Sequence, residues 1–146
     1  MESQTILVTV AAGFIGSRTS ELLLIDNFKV IGVDNLNDYY DVRIKEERLK
    51  VLSKYENFTF YKKDIEDINS IKELFYENKF HSVINLAARA GVRYSLENPF
   101  IYCNTNYIGT LNILDLMNKT GVKYMLWRQL HQYMQDLVYH TKKILV

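Results

Sequence analysis

The chain has 146 residues, a formal charge of +1 and a single cysteine, with 48% apolar and 24% charged residues. This length fits one domain of ordinary size, and the balanced charge argues against a nucleic-acid partner or a strongly acidic partner surface. One cysteine forms no internal disulfide, and no apolar run approaches the about 20 residues of a membrane span. We therefore expect a cytoplasmic protein without a nucleic-acid or membrane partner.

Strands and helices alternate in the predicted secondary structure. Continuously apolar, β-branched runs predict buried strands over residues 5–10, 28–34, 58–64 and 81–88. Apolar residues at helical spacing predict helices over residues 14–26, 40–55 and 67–78. Asp67 is the expected N-cap of the third helix.

A long helix follows, beginning at the pair Asn98 and Pro99 and ending at Gly121. The alternation predicts an α/β fold, a doubly wound parallel sheet of the Rossmann type. Residues 122–127 suit a fifth strand, after which the pattern weakens. An amphipathic helix through Leu130, Met134, Leu137 and Val138 is one interpretation of the rest. We divide the chain into a nucleotide-binding part, 1–126, and a divergent tail, 127–146.

A glycine-spaced loop connects the first strand to the first helix. Its spacing is Val10-x-x-Gly13-x-x-Gly16, and Asp34 ends the second strand 18 residues after Gly16. Such loops let the backbone approach a pyrophosphate at a helix N-terminus, and the acid accepts bonds from an adenosine ribose. An acid at this position favours NAD over NADP. The alternative is an ordinary strand-to-helix turn with a solvated aspartate.

Val10 stands where such loops usually have a glycine. If the turn needs a positive φ there, a β-branched valine is strained by about 1–3 kcal/mol and its side chain crowds the nucleotide. Replacing it by glycine then tightens NAD binding about tenfold.

Five stretches make a specific resemblance: "ILVTVAAGFIGSR", "VIGVDNLNDYYDVRIKEERL", "FTFYKKDI", "NLAARAGVRYSLENP" and "NTNYIGTLNILD". They resemble the extended short-chain dehydrogenase/reductases, in particular NAD-dependent nucleotide-sugar epimerases of the UDP-glucuronate 4-epimerase type. The resemblance covers most of residues 5–125 and only the N-terminal part of that fold. It implies NAD as cofactor, a UDP-sugar substrate, sugar supply for surface polysaccharide and a homodimer.

The resemblance also implies functions for individual positions. The cofactor-binding positions are Gly13, Phe14, Ile15 and Gly16 at the pyrophosphate, Asp34 and Asn35 at the adenosine ribose, Asp64 and Ile65 at the adenine, and Leu86, Ala87 and Ala88 beside the nicotinamide ribose. Arg93 and Ser95 lie where the family approaches substrate. Asn106 matches an asparagine that supports the site, although a polar residue on an apolar helix face also fits a purely structural hydrogen bond.

The family chemistry oxidises the sugar at C4 with NAD, rotates the 4-keto intermediate and returns the hydride to the opposite face. A Tyr-x-x-x-Lys pair supplies the base, and a serine or threonine after the fifth strand orients the substrate. Residues 128–136 contain no serine or threonine. The only such pair, Tyr139 and Lys143, lies close to the fifth strand and is expected by chance in a chain with eleven tyrosines. The sequence therefore assigns no catalytic residue and no metal ligand.

Three functions remain open. The chain is an epimerase, which the departures suggest is truncated or disrupted; or a nucleotide-binding module without catalysis; or a non-functional remnant. A remnant folds poorly because a sheet ending after five strands exposes an apolar edge.

Overall fold

A computed structural model describes residues 4–89 and 91–127. The elements, in chain order, are β1 Thr5–Thr9, α1 Phe14–Ile25, β2 Lys29–Asp34, α2 Val42–Leu52, β3 Phe58–Lys62, α3 Ile68–Glu77, β4 Phe80–Asn85, α4 Val92–Glu97, α5 Pro99–Cys103, a π-helical segment Asn104–Gly109, α6 Thr110–Thr120 and β5 Tyr124–Trp127. Among these residues no helix is long and apolar enough to cross a membrane.

The five strands form one parallel sheet in the order β3-β2-β1-β4-β5. This confirms the predicted doubly wound Rossmann-type sheet, and β1 lies at its centre. The chain first builds outward from β1 to β3 and then returns to place β4 on the other side of β1. In such sheets a crevice opens at the carboxyl ends of the strands where the order reverses, here between β1 and β4.

Both faces of the sheet are covered by helices, which explains the continuously apolar strands. Alternate residues of β1 point to opposite faces: Leu7 packs in the cluster under α3 and α6, whereas Ile6 and Val8 pack in the cluster under α1 and α2. Burial of each large apolar side chain stabilises the fold by about 1.5–3 kcal/mol. Because a shift by one residue would exchange the two faces of a strand, burial on both faces fixes the strand register. The positions of the loops at the carboxyl edge follow from that register.

The third helix and the long final helix begin and end as the sequence predicts. The Asp67 side chain accepts a bond from the backbone N–H of Asn69 at 3.0 Å and caps α3. Pro99 occupies the first turn of α5, and Gly121 ends α6 in the left-handed conformation, with φ of 76°. Asn98 stands at the N-cap without a side-chain capping bond.

Several predicted details are wrong. The first strand ends at Thr9, so Val10 begins the turn, and the fourth ends at Asn85 rather than at residue 88. The short helix α4 was not predicted, and the long helix is interrupted by the π-helical segment.

The apolar spacing in α1 predicts the helix but not its buried face. Leu22 and Ile25 are exposed, and α1 instead packs on the sheet through Gly16, Ser20 and Leu24. Small residues bring this helix close to β1, and that close packing outweighs the pattern of larger apolar residues.

Candidate functional site

A cleft of about 580 Å³ lies at the carboxyl edge of the sheet. Its volume falls within the about 300–1,000 Å³ of ligand pockets. It brings together every position predicted to bind a cofactor: Gly13, Phe14, Ile15, Gly16, Asp34, Asn35, Asp64, Ile65, Leu86, Ala87 and Ala88. These residues follow four different strands, so the fold itself assembles the site.

The turn after β1 forms one wall of the cleft. Val10 has a positive φ of 53°, which is the condition under which a valine is expected to be strained there. Its carbonyl accepts a bond from the Gly13 N–H at 2.9 Å, which closes the turn. A β-branched residue in this region is a genuine conformational outlier. Position 10 is therefore where the turn calls for glycine.

Gly13 and Gly16 are required by close approach rather than by positive φ. A Cβ added at Gly13 would lie 2.7 Å from Cγ1 of Val10, and one added at Gly16 would overlap the Val10 carbonyl oxygen. Helix α1 begins directly after Gly13, with no acidic side chain in its first turn. The first-turn N–H groups lack intrahelical acceptors, and together with the helix dipole they favour an anion here.

The acid after β2 is buried and only partly satisfied. Asp34 is 4% exposed, and its Oδ1 accepts bonds from the Leu36 N–H at 2.8 Å and from Lys45 Nζ at 3.4 Å. Its Oδ2 is buried and has no partner among the described residues. Because buried polar atoms are nearly always paired, an unpaired carboxylate oxygen lining a cleft fits a hydroxyl donor such as a ribose diol. A dinucleotide thus fits the residues present.

Lys45 is a residue that the sequence analysis missed. Its side chain is 3% exposed and also donates to the carbonyl and side-chain oxygens of Asn37, at 3.1 and 3.0 Å. One signal points to it: on α2, Lys45 lies one and two turns before Leu49 and Leu52, on the face that packs toward the sheet. A lysine in an apolar stripe needs a buried partner.

The loop after β3 is joined to the loop after β2. Asn35 donates to Asp64 Oδ2 at 2.9 Å, and the other Asp64 oxygen accepts from the Glu66 N–H at 2.9 Å. Ile65 is 7% exposed and lies against Gly109, where an added Cβ would come within 2.7 Å of Ile65 Cδ1. The two loops therefore form one continuous wall.

A buried polar network shapes the end of β4. Thr9 donates to Asn85 at 2.7 Å, and its hydroxyl accepts from the backbone N–H groups of Leu86 and Ala87 at 2.9 and 3.2 Å. Asn85 in turn donates to Thr110 at 3.3 Å. Thr9, Asn85 and Thr110 were not predicted, because each lies inside an otherwise apolar run. The hydrogen bonds of this network direct the backbone that follows β4 along the cleft.

Asn106 lies outside the cleft lining and holds the backbone of Arg89. Its side chain accepts from the Arg89 N–H at 2.8 Å and donates to the Arg89 carbonyl at 3.2 Å. Nearby, Tyr102 donates to the Gly91 carbonyl at 2.8 Å, and desolvation raises the pKa of this phenol, with Tyr39 adding to the effect. Asn106 therefore has the structural hydrogen-bonding function that was one of its two interpretations.

Two predicted substrate-binding positions do not join this cleft. Arg93 and Ser95 lie on α4 and are absent from the cleft lining, so their approach to substrate stays a prediction. Tyr139, Lys143 and the tail helix lie outside the described residues. The structure identifies no catalytic base among the described residues.

Comparison with known proteins identifies the family of the chain. Residues 7–134 match the family model of GDP-mannose 4,6 dehydratase. The chain is 55% identical over 117 residues to UDP-glucuronate 4-epimerase of Thermodesulfobacterium geofontis, a match covering 80% of this chain and 36% of that protein. The chain thus spans about a third of the length of this relative.

Two crystal structures show the same fold. UDP-glucose 4-epimerase of Thermus thermophilus in complex with NAD has a TM-score of 0.71 at 30% identity, covering 84% of this chain and 36% of that one. A variant UDP-glucuronic acid 4-epimerase of Bacillus cereus, in complex with UDP-4-deoxy-4-fluoro-glucuronic acid and NAD, has a TM-score of 0.75 at 26% identity, covering 92% and 45%. The chain therefore belongs to the GDP-mannose 4,6 dehydratase family, among the extended short-chain dehydrogenase/reductases that include the nucleotide-sugar epimerases.

Proposed function

We propose that this chain binds NAD in the cleft and supplies the nucleotide-binding part of a UDP-sugar 4-epimerase of the UDP-glucuronate type. The unpaired Asp34 Oδ2 carries the proposal, because a buried carboxylate oxygen at the cleft wall calls for a hydroxyl donor. The relatives support the choice of ligand, since solved neighbours are complexes with NAD. The UDP-glucuronate specificity rests on the names of relatives.

Each wall of the cleft has a separate task in this proposal. Gly13, Gly16 and the first turn of α1 receive the pyrophosphate, and Asp34 with Asn35 receives the adenosine ribose. Leu86 and Ala87, positioned by Thr9, border the nicotinamide half. NAD, when bound, supplies the hydride acceptor for the sugar C4. The carboxylate of Asp34 also disfavours the 2′-phosphate of NADP through like charge.

A nucleotide-binding module without catalysis is the second candidate. One observation favours it: the sequence from 128 to 136 lacks the serine or threonine that the resemblance implies. Catalysis also needs a base, which in the sequence analysis is assigned to no residue. The two candidates share the cleft and differ in turnover.

Thermal unfolding with added nucleotide, followed by an activity assay, tests these proposals. We expect NAD to raise the unfolding temperature of the purified chain, and NADP at the same concentration to raise it less. Conversion of UDP-glucuronate to its C4 epimer supports the epimerase, whereas an NAD shift without turnover favours the binding module. No shift at millimolar NAD contradicts both.

We extend the proposal to a homodimer, which the family resemblance implies. The helix from Pro99 to Thr120 carries a stripe of exposed apolar side chains: Phe100, Tyr107, Leu111 and Leu114. Their spacing places them on one side of the helix. A contiguous apolar stripe of this kind is typical of an interface between protein chains.

Sedimentation analysis distinguishes a dimer from a monomer. Leu111→Asp places a charge in the stripe and is expected to shift the protein to monomer. Leu22→Asp places the same charge on an exposed leucine of α1, outside the stripe, and is expected to leave the assembly unchanged. A monomeric wild-type chain contradicts this part of the proposal and leaves NAD binding open to its own test.

A further inference from the structure

A polar chain of Glu66, Thr105 and Arg89 closes the cleft at one end. All three line the cleft, although they come from the loop after β3, the π-helical segment and the loop after β4. The Thr105 hydroxyl donates to the Glu66 carboxylate and accepts from Arg89 Nε at 3.1 Å. Neither the cofactor assignments nor the fold accounts for this arrangement.

Arg89 is held at two places. Its backbone N–H and carbonyl bond to the side chain of Asn106, and its Nε bonds to Thr105. The π-helical segment makes this double hold possible, since it turns the consecutive residues Thr105 and Asn106 toward one loop. π-Helical turns are frequent at functional sites for this reason.

The terminal nitrogens of the Arg89 guanidinium have no acceptor among the described residues. Within residues 4–89 and 91–127, no protein acceptor bonds to either of them, and Glu66 is reached only through Thr105. The side chain is half-buried at the cleft wall. An arginine bonded through Nε alone keeps the rest of its planar guanidinium for a ligand in the cleft that it lines.

The order of the strands indicates which part of a nucleotide lies there. A pyrophosphate at the turn after β1 and a ribose at Asp34 after β2 direct the base onward, toward the loop after β3. That loop contains Asp64, Ile65 and Glu66, and the polar chain joins Glu66 to Arg89. The apolar side chain of Ile65 and the guanidinium of Arg89 therefore border the same end of the cleft.

We propose that Arg89 stacks its guanidinium on the adenine base of the bound nucleotide, with Thr105 and Glu66 fixing the plane of the guanidinium. The assignment rests on the proposed binding of NAD. A planar, weakly hydrated guanidinium stacks on aromatic rings, whereas a lysine ammonium acts as a point charge. Arg89 is thus a base-binding residue, and Thr105 is a positioning residue.

Calorimetric titration of the full chain with adenosine, AMP, NAD and nicotinamide mononucleotide tests this proposal. Arg89→Ala is expected to weaken binding of the three adenine-containing ligands by a similar factor, about tenfold, and to leave nicotinamide mononucleotide unchanged. Arg89→Lys, which keeps the charge and loses the plane, is expected to recover little of that loss. Thr105→Val is expected to weaken the same three ligands about threefold, because Arg89 is then oriented less firmly.

Arg43→Ala is the matched control. Arg43 lies on α2, outside the cleft lining, and pairs with Asp41 at the surface, so its loss is expected to leave all four affinities unchanged. Arg89→Met preserves the length of the side chain, and it replaces Arg89→Ala if circular dichroism shows that the alanine variant does not fold.

Each other outcome contradicts the assignment in a recognisable way. Weaker binding of AMP and NAD by Arg89→Ala with adenosine unchanged identifies a phosphate contact and overturns base stacking. Equal NAD binding by wild type and Arg89→Ala overturns the Arg89 assignment alone and leaves the proposed function intact. A wild-type chain and a Val10→Gly variant that both fail to bind any adenine nucleotide overturn both proposals.

Discussion

The loops after β1 and β2 use the same unusual backbone conformation in different surroundings. Val10 and Leu36 both have φ of 53°, a region that L-residues seldom adopt. Leu36 donates its N–H to Asp34 at 2.8 Å, so the strained residue helps to satisfy a buried carboxylate. Val10 lines the cleft and places Cγ1 against Gly13. In the loop after β2 the strained residue donates a hydrogen bond to a buried carboxylate. In the turn after β1 the strained residue crowds the cleft beside Gly13.

This difference separates two contributions to a nucleotide site. The loop after β2 is held by the buried pair of Asp34 and Lys45, which orients the acid whether or not a ligand is bound. The turn after β1 relies on close backbone packing between Gly16 and the Val10 carbonyl. We therefore expect substitutions in the second loop to act mainly through charge, and those in the first through steric fit.

Breaking the buried ion pair is expected to have the largest effect. Asp34→Asn leaves the Lys45 ammonium buried without its counter-charge, which typically costs about 3–5 kcal/mol of folding free energy. The double variant Asp34→Asn with Lys45→Met is expected to recover most of that loss, because no lone charge remains. Urea unfolding of the wild type, both single variants and the double variant measures the coupling.

Asp115→Asn is the control for this ion pair. It breaks an exposed pair with Lys119 on α6 and is expected to change stability little, because exposed pairs are weak. A loss after Asp34→Asn no larger than that of Asp115→Asn would show that the second loop is not held by charge.

Steric fit in the first turn is tested by Gly16→Ala. The added methyl overlaps the Val10 carbonyl oxygen, so the turn must shift, and we expect a loss of about 3 kcal/mol together with the loss of NAD binding. Gly121→Ala separates backbone conformation from sterics, since its φ is 76° but nothing lies within 4 Å of the added Cβ. That control is expected to cost about 1 kcal/mol and to leave NAD binding intact. Equal behaviour of the two variants would contradict the steric account.

The strained valine itself is tested by Val10→Gly. Relief of about 1–3 kcal/mol of strain is opposed by the about 0.5–1 kcal/mol that a more flexible glycine costs and by the loss of the Val10 contacts with the core, so we expect a small net change in stability. Removing the side chain from the cleft is expected to tighten NAD binding about tenfold. Leu36→Gly relieves the same φ outside the cleft lining and is expected to give no such gain. Equal NAD affinity of wild type and Val10→Gly in titration calorimetry would show that the turn accommodates valine.

Local signals predict the alternation of strands and helices and the loop positions but not the partners across the fold. Asp67 and Gly121 act on neighbouring backbone, so their capping functions can be predicted from the adjacent sequence. Lys45 lies 11 residues from Asp34, and its importance depends on tertiary packing that places a charged residue on the buried face of α2. Charged residues on helices are normally solvated, which is why this partner was missed.

The polar residues around Arg89 were missed for a similar reason. Glu66 and Thr105 are 39 positions apart and meet only because the π-helical segment faces the loop after β3. A π-helical turn has no recognisable pattern in a single sequence, since it shifts side chains by one position within an otherwise regular helix. Motifs therefore predicted the pyrophosphate and ribose ends of the cleft better than the end near Arg89.

The smallest effect is expected at the exposed end of the second loop, where Asp41 caps α2. Arg43 donates to the Asp41 carboxylate through Nε at 3.0 Å and Nη2 at 2.6 Å, and these bonds lower the pKa of Asp41 from its usual value. A lowered pKa stabilises the fold at pH above the unfolded pKa, and that stability is lost as the pH falls through the folded pKa.

Asp41→Asn keeps an oxygen that accepts from the Arg43 N–H but removes the titratable group. The unfolding temperatures of wild type and variant are therefore expected to differ slightly at about pH 5 and to converge as the pH falls through the folded pKa of Asp41, and added salt is expected to reduce the difference. A difference that persists at low pH would mean that the acid acts through its hydrogen bond alone, whereas the buried pair of Asp34 and Lys45 is expected to be insensitive to salt because solvent does not reach it.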